Sequence, residues 1–334
     1  SPETRLYELN WRDFYLRSTD AERNAIDEGA SFIAEIAKAP ANVTLGFDLA
    51  TKTGAEAYET YTGGGFTAWL TLAANISGAD AQLEVSADNV DRFLDEFVAG
   101  MVVLVDEEQM QFVAFDSVTR IATIERGVAD TVPASHVAGA TVWLIDDEMV
   151  SDQREYQDGE IVKAKVLTRT SSDVLTLAEA VEDSITVGQR LLRPYPPGDV
   201  RVNGDSVYVL PDPEYGEPLL TWAHRDRLLQ QDQVVSHGEG SVGPEPGTTY
   251  NIRVFDNDGI TQLREETGLV GETWTYSLAE QMTDGSPYII YIELEAERDG
   301  LASWSKYRFQ LILEDVLTID GAVVLFDDEP VNFK

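Results

Sequence analysis

From Phe66 onward the chain is written in short β-rich runs, broken by turn residues about every eight to twelve positions, a cadence that fits a β-sandwich or barrel. The runs in the first half are 66–72, 81–85, 101–105, 110–115, 121–125 and 140–145. Between the second and third, Val90, Phe93, Leu94 and Phe97 recur at helical spacing and predict one short helix. Alternation across 110–115 is imperfect, so both faces of that strand read as partly buried, as in a small closed barrel. The second half offers runs at 161–168, 174–177, 219–222, 249–255, 273–276, 288–297 and 304–313. In the run 288–297, Tyr288, Ile290, Ile292, Leu294 and Ala296 share one face, while Glu293 and Glu295 take the other, the pattern of a half-buried strand. Asp256-Asn257-Asp258-Gly259 reads as a turn between strands.

Before Phe66 the signals differ. Thr19-Asp20-Ala21-Glu22 matches a capping box, and Ile26, Ala30, Ile33 and Ala37 follow at helical spacing until Pro40. One N-terminal helix is therefore expected. Residues 41–65 read as irregular or edge β structure ending in a Gly63-Gly64-Gly65 hinge. Residues 146–158 are acidic and polar, a loop or linker. RPYPPGDVRVNG at 193–204 carries three prolines in four positions, which fixes φ and removes donors, so it reads as a rigid extended connector and the preferred domain boundary. The division expected is 1–65, an N-terminal helix-containing arm or hub part; 66–147, a barrel-like domain; 148–205, return strands and connector; 206–316, a C-terminal sandwich; and 317–334, a hairpin or linker turning at Asp320-Gly321.

Charge narrows the function classes. Asp plus Glu number 60 against 24 Lys plus Arg, a net charge of −36 over 334 residues. Phosphate neutralisation needs basic clusters, so specific nucleic-acid binding is not expected, and an anionic membrane is disfavoured for the same reason. The surplus fits either simple solubility or a surface that repels DNA. With no Cys there is no disulfide framework, thiolate zinc site or Cys nucleophile. The sequence holds no stretch of about 20 apolar residues, so no membrane-spanning segment is expected. No signal-peptide pattern is present either. Ser1 in place of Met fits Met removal or a cut from a longer polypeptide.

Three strings carry a resemblance: ERGVADTVPASHVAGATVW at 125–143, RPYPPGDVRVNG at 193–204 and LTWAHRDRL at 220–228. In that order they resemble the tail-tip or baseplate hub proteins of long-tailed bacteriophages and gene transfer agents, over roughly residues 66–316. The resemblance implies a β-rich, barrel-like hub region followed by an immunoglobulin-like (fibronectin type III) sandwich. It implies a virion protein made in the host cytoplasm, a homo-oligomer with three copies in the ring, that closes the tail tube and joins other tail-tip, tail-tube and receptor-binding parts. DNA would pass it without specific binding, and in that setting the surplus carboxylates are expected along the channel, where they repel DNA. Trp222 resembles the sandwich's core Trp on its second strand. Leu294-Glu295-Ala296 with Gly300, Ser303, Trp304 and Ser305 resembles its penultimate strand and last turn. The corner Tyr would stand at position 290, which is Ile, with Tyr288 two residues early on the same face.

No residue is assigned a catalytic, cofactor-binding or metal-binding role. Asp106-Glu107-Glu108, Asp146-Asp147-Glu148 and Asp327-Asp328-Glu329 read as solvated turns rather than a glycosidase pair. In Asp256–Gly259 the glycine comes fourth, so the EF-hand pattern is absent. His136 reads as a hydrogen-bonded loop residue without the elbow a serine nucleophile would occupy. His224 fixes a strand end or packs on a neighbouring subunit, and His237 sits in an exposed loop. The triple glycine lacks the Lys-Ser/Thr of a phosphate loop. Asn42-Val43-Thr44 and Asn75-Ile76-Ser77 match glycosylation acceptors at the rate chance allows. Trp69, Trp143, Trp222 and Trp274 are expected in cores, and Trp11 as an interface anchor. A structural, non-enzymatic role is what the resemblance implies. The alternatives are a fibronectin-bearing adhesin or receptor-binding protein, and a cell-wall polysaccharide hydrolase.

Overall fold

The computed structural model describes residues 2–27, 29–40, 44–145, 148–210, 215–314, 317–319 and 322–324. The chain is mainly β, arranged in several sheets. Strands Trp69–Thr71, Gln82–Glu84, Val102–Val105, Glu108–Asp116, Ile121–Glu125 and Thr141–Leu144 stand where six runs are expected. They form one antiparallel sheet in the order 69–71, 141–144, 102–105, 108–116, 121–125, 82–84. The sheet curls until its edges meet: Leu72 bridges Val85, Ala73 N donates to Glu84 O at 2.8 Å, and Ser86 N donates to Thr71 O at 2.8 Å. Leu70, Val103, Val105, Met110, Phe112 and Val142 fill the inside. The expected short helix, Val90–Glu96, packs on this core, with Phe93 5.7 Å from Phe112 and 5.8 Å from Phe115. The imperfect alternation has a local cause. The register slips so that Thr123 faces Ala114 but Ile124 faces Phe112, leaving Val113 as an extra residue. A bulge inverts the phase beyond it, which returns Phe115 to the core side.

The N-terminal expectation fails beyond its first turn. The capping box forms, with Thr19 N donating to Glu22 Oε2 at 2.7 Å and Glu22 N to Thr19 Oγ1 at 3.3 Å. Its helix, however, spans only Asp20–Asn24, after a separate helix at Trp11–Arg17. Ala30–Ser31 and Ile33–Ala37 are strands, and Ile33–Ala37 pairs antiparallel with Thr4–Glu8. Every residue of Ile33–Ala37 is buried, and a strand buried on both faces loses its period-two signature.

Within 44–65 the edge strand expected is found at Glu59–Gly64, but two other expectations are corrected. Gly46–Thr53 is an inner strand of a four-stranded sheet ordered 182–186, 161–169, 46–53, 59–64. This pairing joins sequence on either side of the barrel. The triple glycine is no hinge. A Cβ on Gly64 would run into Val150 and Phe47, so this position is kept bare by close approach. The predicted run 174–177 contributes one bridge, Arg169 to Val174, and the strand lies instead at Glu182–Thr186.

A 3-10 turn, Arg190–Leu192, leads into the proline string, whose end is already strand Gly198–Val202. One sheet follows the order 205–206, 198–202, 219–223, 273–275. A second holds Gln262–Leu269, Thr249–Phe255, Ile289–Arg298 and Leu301–Ala302, with Tyr307–Ile312 also on 289–298. The two share one core, in which Val202, Leu220 and Trp222 meet Ile252, Ile292 and Leu294. The Asp256–Gly259 turn forms as expected, Gly259 N donating to Asp256 O at 2.8 Å. Ile290 to Ala296 point inward on alternate positions, but Tyr288 is 45% exposed and does not join them. Glu293 and Glu295 on the opposite face are only 5% and 7% exposed, because cations from neighbouring strands cover them. Leu317–Ile319 pairs with Ala322–Val324, and the Asp320-Gly321 turn itself lies outside the described residues. Among the described residues no helix is long and apolar enough to cross a membrane.

Candidate functional site

The chain gathers buried charge at three joints, the first between loops of the barrel and the other two between its parts. The first joint grows from the turn Asp106-Glu107-Glu108, which is not fully solvated: Glu108 is 2% exposed. Arg126 grips its carboxylate with two parallel bonds, from Nε and an Nη, each 2.8 Å. Gly127 N at 3.0 Å and Ala134 N at 2.9 Å donate to the same group. His136 bridges Glu108 Oε2 (2.9 Å) and Asp106 Oδ2 (2.7 Å) through its two ring nitrogens. The remaining Arg126 donors reach the carbonyls of Ser77, Asp80 and Ala134. For Glu108, burial pushes the pKa up, but the bonds from Arg126 and His136 outweigh it and hold the carboxyl below its ordinary range. For His136, burial pulls the pKa down, and the bonds to Glu108 and Asp106 reverse this and raise it. A charged histidine between two carboxylates and one guanidinium leaves the cluster balanced.

The second joint ties arm, barrel and return segment together. Arg190 forks onto Asp130, Nε to Oδ2 at 2.6 Å and Nη2 to Oδ1 at 2.9 Å, and its Nη1 donates to Glu8 O at 3.0 Å. The Glu8 carboxylate accepts from Gly188 N (2.8 Å) and Arg190 N (2.7 Å), and Asn10 Nδ2 donates to Asp130 Oδ1 at 3.0 Å. Fully buried groups need such pairing, since a lone charge there costs several kcal/mol or more.

The third joint holds the C-terminal sheets to the 3-10 turn. Arg227 Nε meets Glu245 Oε2 at 3.0 Å while its Nη1 donates to Leu191 O at 2.8 Å. Arg298 shares Glu245 and donates to Leu192 O at 3.0 Å. Arg193 donates to Gly188 O (2.7 Å) and Ala302 O (2.8 Å). Trp11 lies beneath Arg227, 5.1 Å from guanidinium to ring, and its Nε1 donates to Gln231 Oε1 at 3.3 Å. Trp11 is therefore an anchor within one chain. A cavity of about 750 Å³ opens beside it, lined by Arg23, Asp27, Arg227, Arg298 and Asp299.

The other singled-out residues fall into place around these joints. His224 fixes its strand end through Nδ1 to Tyr250 Oη at 2.6 Å, with the rings stacked. His237 is not an exposed loop residue: its ring meets Tyr208 edge-on, its N–H donates to Arg126 O at 3.0 Å, and burial presses its pKa down to about 4. Trp143, Trp222 and Trp274 are buried, and Trp69 packs partly buried beside Trp143. Asn75 Oδ1 accepts from Ala138 N at 2.8 Å. Asn42, Asp146, Asp147 and 327–329 lie outside the described residues, and Glu148 is exposed. Among the described residues no group of three or more His, Asp or Glu is placed to hold a metal ion.

Sequence reading missed Asp130, Arg190 and Glu35. Glu35 is fully buried on the all-buried strand, where burial and then the nearby Asp183 raise its pKa well above normal. Its position between Ala34 and Ile36 was the available signal, a lone acid in an apolar run.

No family model matches the chain, and no curated protein matches it.

Proposed function

We propose that the chain is a structural virion protein of a bacteriophage tail tip, a baseplate hub that closes the tail tube and links it to distal receptor-binding parts. One observation supports this most: each of the three strings that carry the resemblance supplies residues to a joint. The 125–143 string supplies Arg126, Gly127, Asp130, Ala134 and His136. The proline string supplies Arg193, and 220–228 supplies Arg227. Residues spent on holding modules in fixed orientation fit a part whose output is shape. In this reading residues 206–316 form a fibronectin type III-like sandwich around Trp222, and the barrel belongs to the hub. Three copies form a ring, and the surplus carboxylates face the DNA channel, where like charge keeps DNA from adhering.

The adhesin reading calls for aromatic residues clustered on loops of the C-terminal sheets. Tyr288 stands alone as an exposed aromatic among the described residues there, so the hub reading is preferred. Immunogold labelling of intact particles with antibody to this chain tests it. Gold at the distal end of the tail supports the proposal, and gold elsewhere, or particles that lack the chain, refutes it.

A further inference from the structure

The sequence contains six lysines, and three of them, Lys52, Lys163 and Lys165, lie on one face of the four-stranded sheet. Lys163 stands directly opposite Lys52 across the strand pair 46–53 and 161–169. Tyr58 sits among them, its ring 4.8 Å from Lys52 Nζ and 5.4 Å from Lys165 Nζ. Among the described residues the carboxylate hydrogen-bonded on this strip is Glu182, accepting from Lys163 at 2.6 Å and from Tyr58. Those bonds pull the Glu182 pKa down to about 2, so it stays charged. Asp173 and Glu179, in the loop that folds against the same face, are bonded within that loop. The rim is apolar and open: Ile161 is 55% exposed, Val174 42% and Leu177 38%. On a chain of net charge −36, a lysine strip edged by exposed aliphatic residues marks a contact surface rather than a solubility device.

The C-terminal hairpin has the opposite character. Its strands, Leu317–Ile319 and Ala322–Val324, pair with each other and with no other strand among the described residues. A two-stranded hairpin alone is marginally stable in water. Residues 314–329, EDVLTIDGAVVLFDDE, hold six acids, no base and a run of aliphatic residues, which complements the lysine strip and its rim in both charge and polarity.

We propose that the C-terminal hairpin of one copy docks on the Lys52–Lys163–Lys165 face of a second copy. This deepens the assembly reading above and rests on it. Two different surfaces meet, so the contact is head-to-tail, the kind that closes into a ring when the rotation allows. The attraction is between exposed charges and weakens with salt.

Sedimentation velocity of the full chain tests this in about 50 mM and about 1 M salt. The native chain is expected to associate in low salt and dissociate in high salt. Lys52→Glu/Lys163→Glu and Asp320→Lys/Asp328→Lys are each expected to weaken association about tenfold or more, the size two lost exposed pairs give. An equimolar mixture of the two variants restores it, because an acidic face now meets a basic hairpin. Lys52→Gln/Lys163→Gln serves as a milder form, and circular dichroism confirms that each variant is folded. If the native chain associates but the variants match it, or the mixture stays dissociated, this surface is wrong and the assembly reading survives. A native chain that is monomeric in both salts overturns both.

Discussion

The barrel joint and the outer face of the C-terminal sheet use the same residue types to opposite ends. At the joint, Glu108 and Arg126 are buried and fully engaged by groups from residues 77–136. On the C-terminal sheet, Arg253 joins Glu265 and Glu295 at 2.8 Å each, and Glu293 takes Lys306 at 2.8 Å and Arg308, with the cations a quarter to a half exposed. The first is a lock, because a carboxylate out of water demands fixed partners and those partners come from distant loops. The second is a covering that water can replace. Charge in this chain therefore specifies shape where both partners of a pair are buried.

That contrast can be broken by substitution. Arg126→Met leaves Glu108 buried without its guanidinium and is expected to cost about 3–5 kcal/mol in urea unfolding. Arg253→Met, the matching change on the C-terminal sheet, is expected to cost about 1 kcal/mol or less. Equal losses would erase the distinction. Between them falls the dry core behind the ladder: Trp222→Ala should cost about 3 kcal/mol or somewhat more by opening a cavity among Leu220, Tyr250 and Ile252.

The pH dependence sharpens the same point. Glu108 has a lowered pKa, so its contribution is present above the ordinary carboxylate value and is lost as pH falls through the folded one. His136 has a raised pKa, so its contribution is full below about 6.5 and fades as pH rises through the folded value. His136→Asn is therefore expected to destabilise more at pH 5.5 than at pH 9. A loss independent of pH would show that His136 acts by packing alone. Glu35 runs the other way from Glu108. Its raised pKa means stability is greatest below the ordinary carboxylate value and falls as pH rises, so Glu35→Gln should stabilise the protein at pH 8 and little at pH 4.

The barrel was legible because its six strands are β-rich runs broken at turns, and the imperfect alternation in one of them traces to the bulge at Val113. The Ile26–Ala37 stretch was not, since an all-buried strand of Ile and Ala carries the same apolar spacing as a helix. Strand Gln262–Leu269 escaped notice because QLREETGL is an edge strand whose apolar contacts with the core come from Leu263 and Leu269 alone. His136 and His224 were readable as hydrogen-bonded residues from their settings, whereas Arg190 and Asp130 meet across 60 positions, which no local pattern encodes. Glu108 looked like part of a solvated acidic turn, and only the fold reveals the guanidinium placed against it.

The central claim is that buried ion pairs weld arm, barrel and C-terminal sheets into one body. Scanning calorimetry of the full chain tests it most directly, compared with Arg190→Met. The account predicts one cooperative transition for the native chain, with calorimetric and van't Hoff enthalpies equal, and two separated transitions for the variant. A native chain that already melts in two independent steps would contradict it.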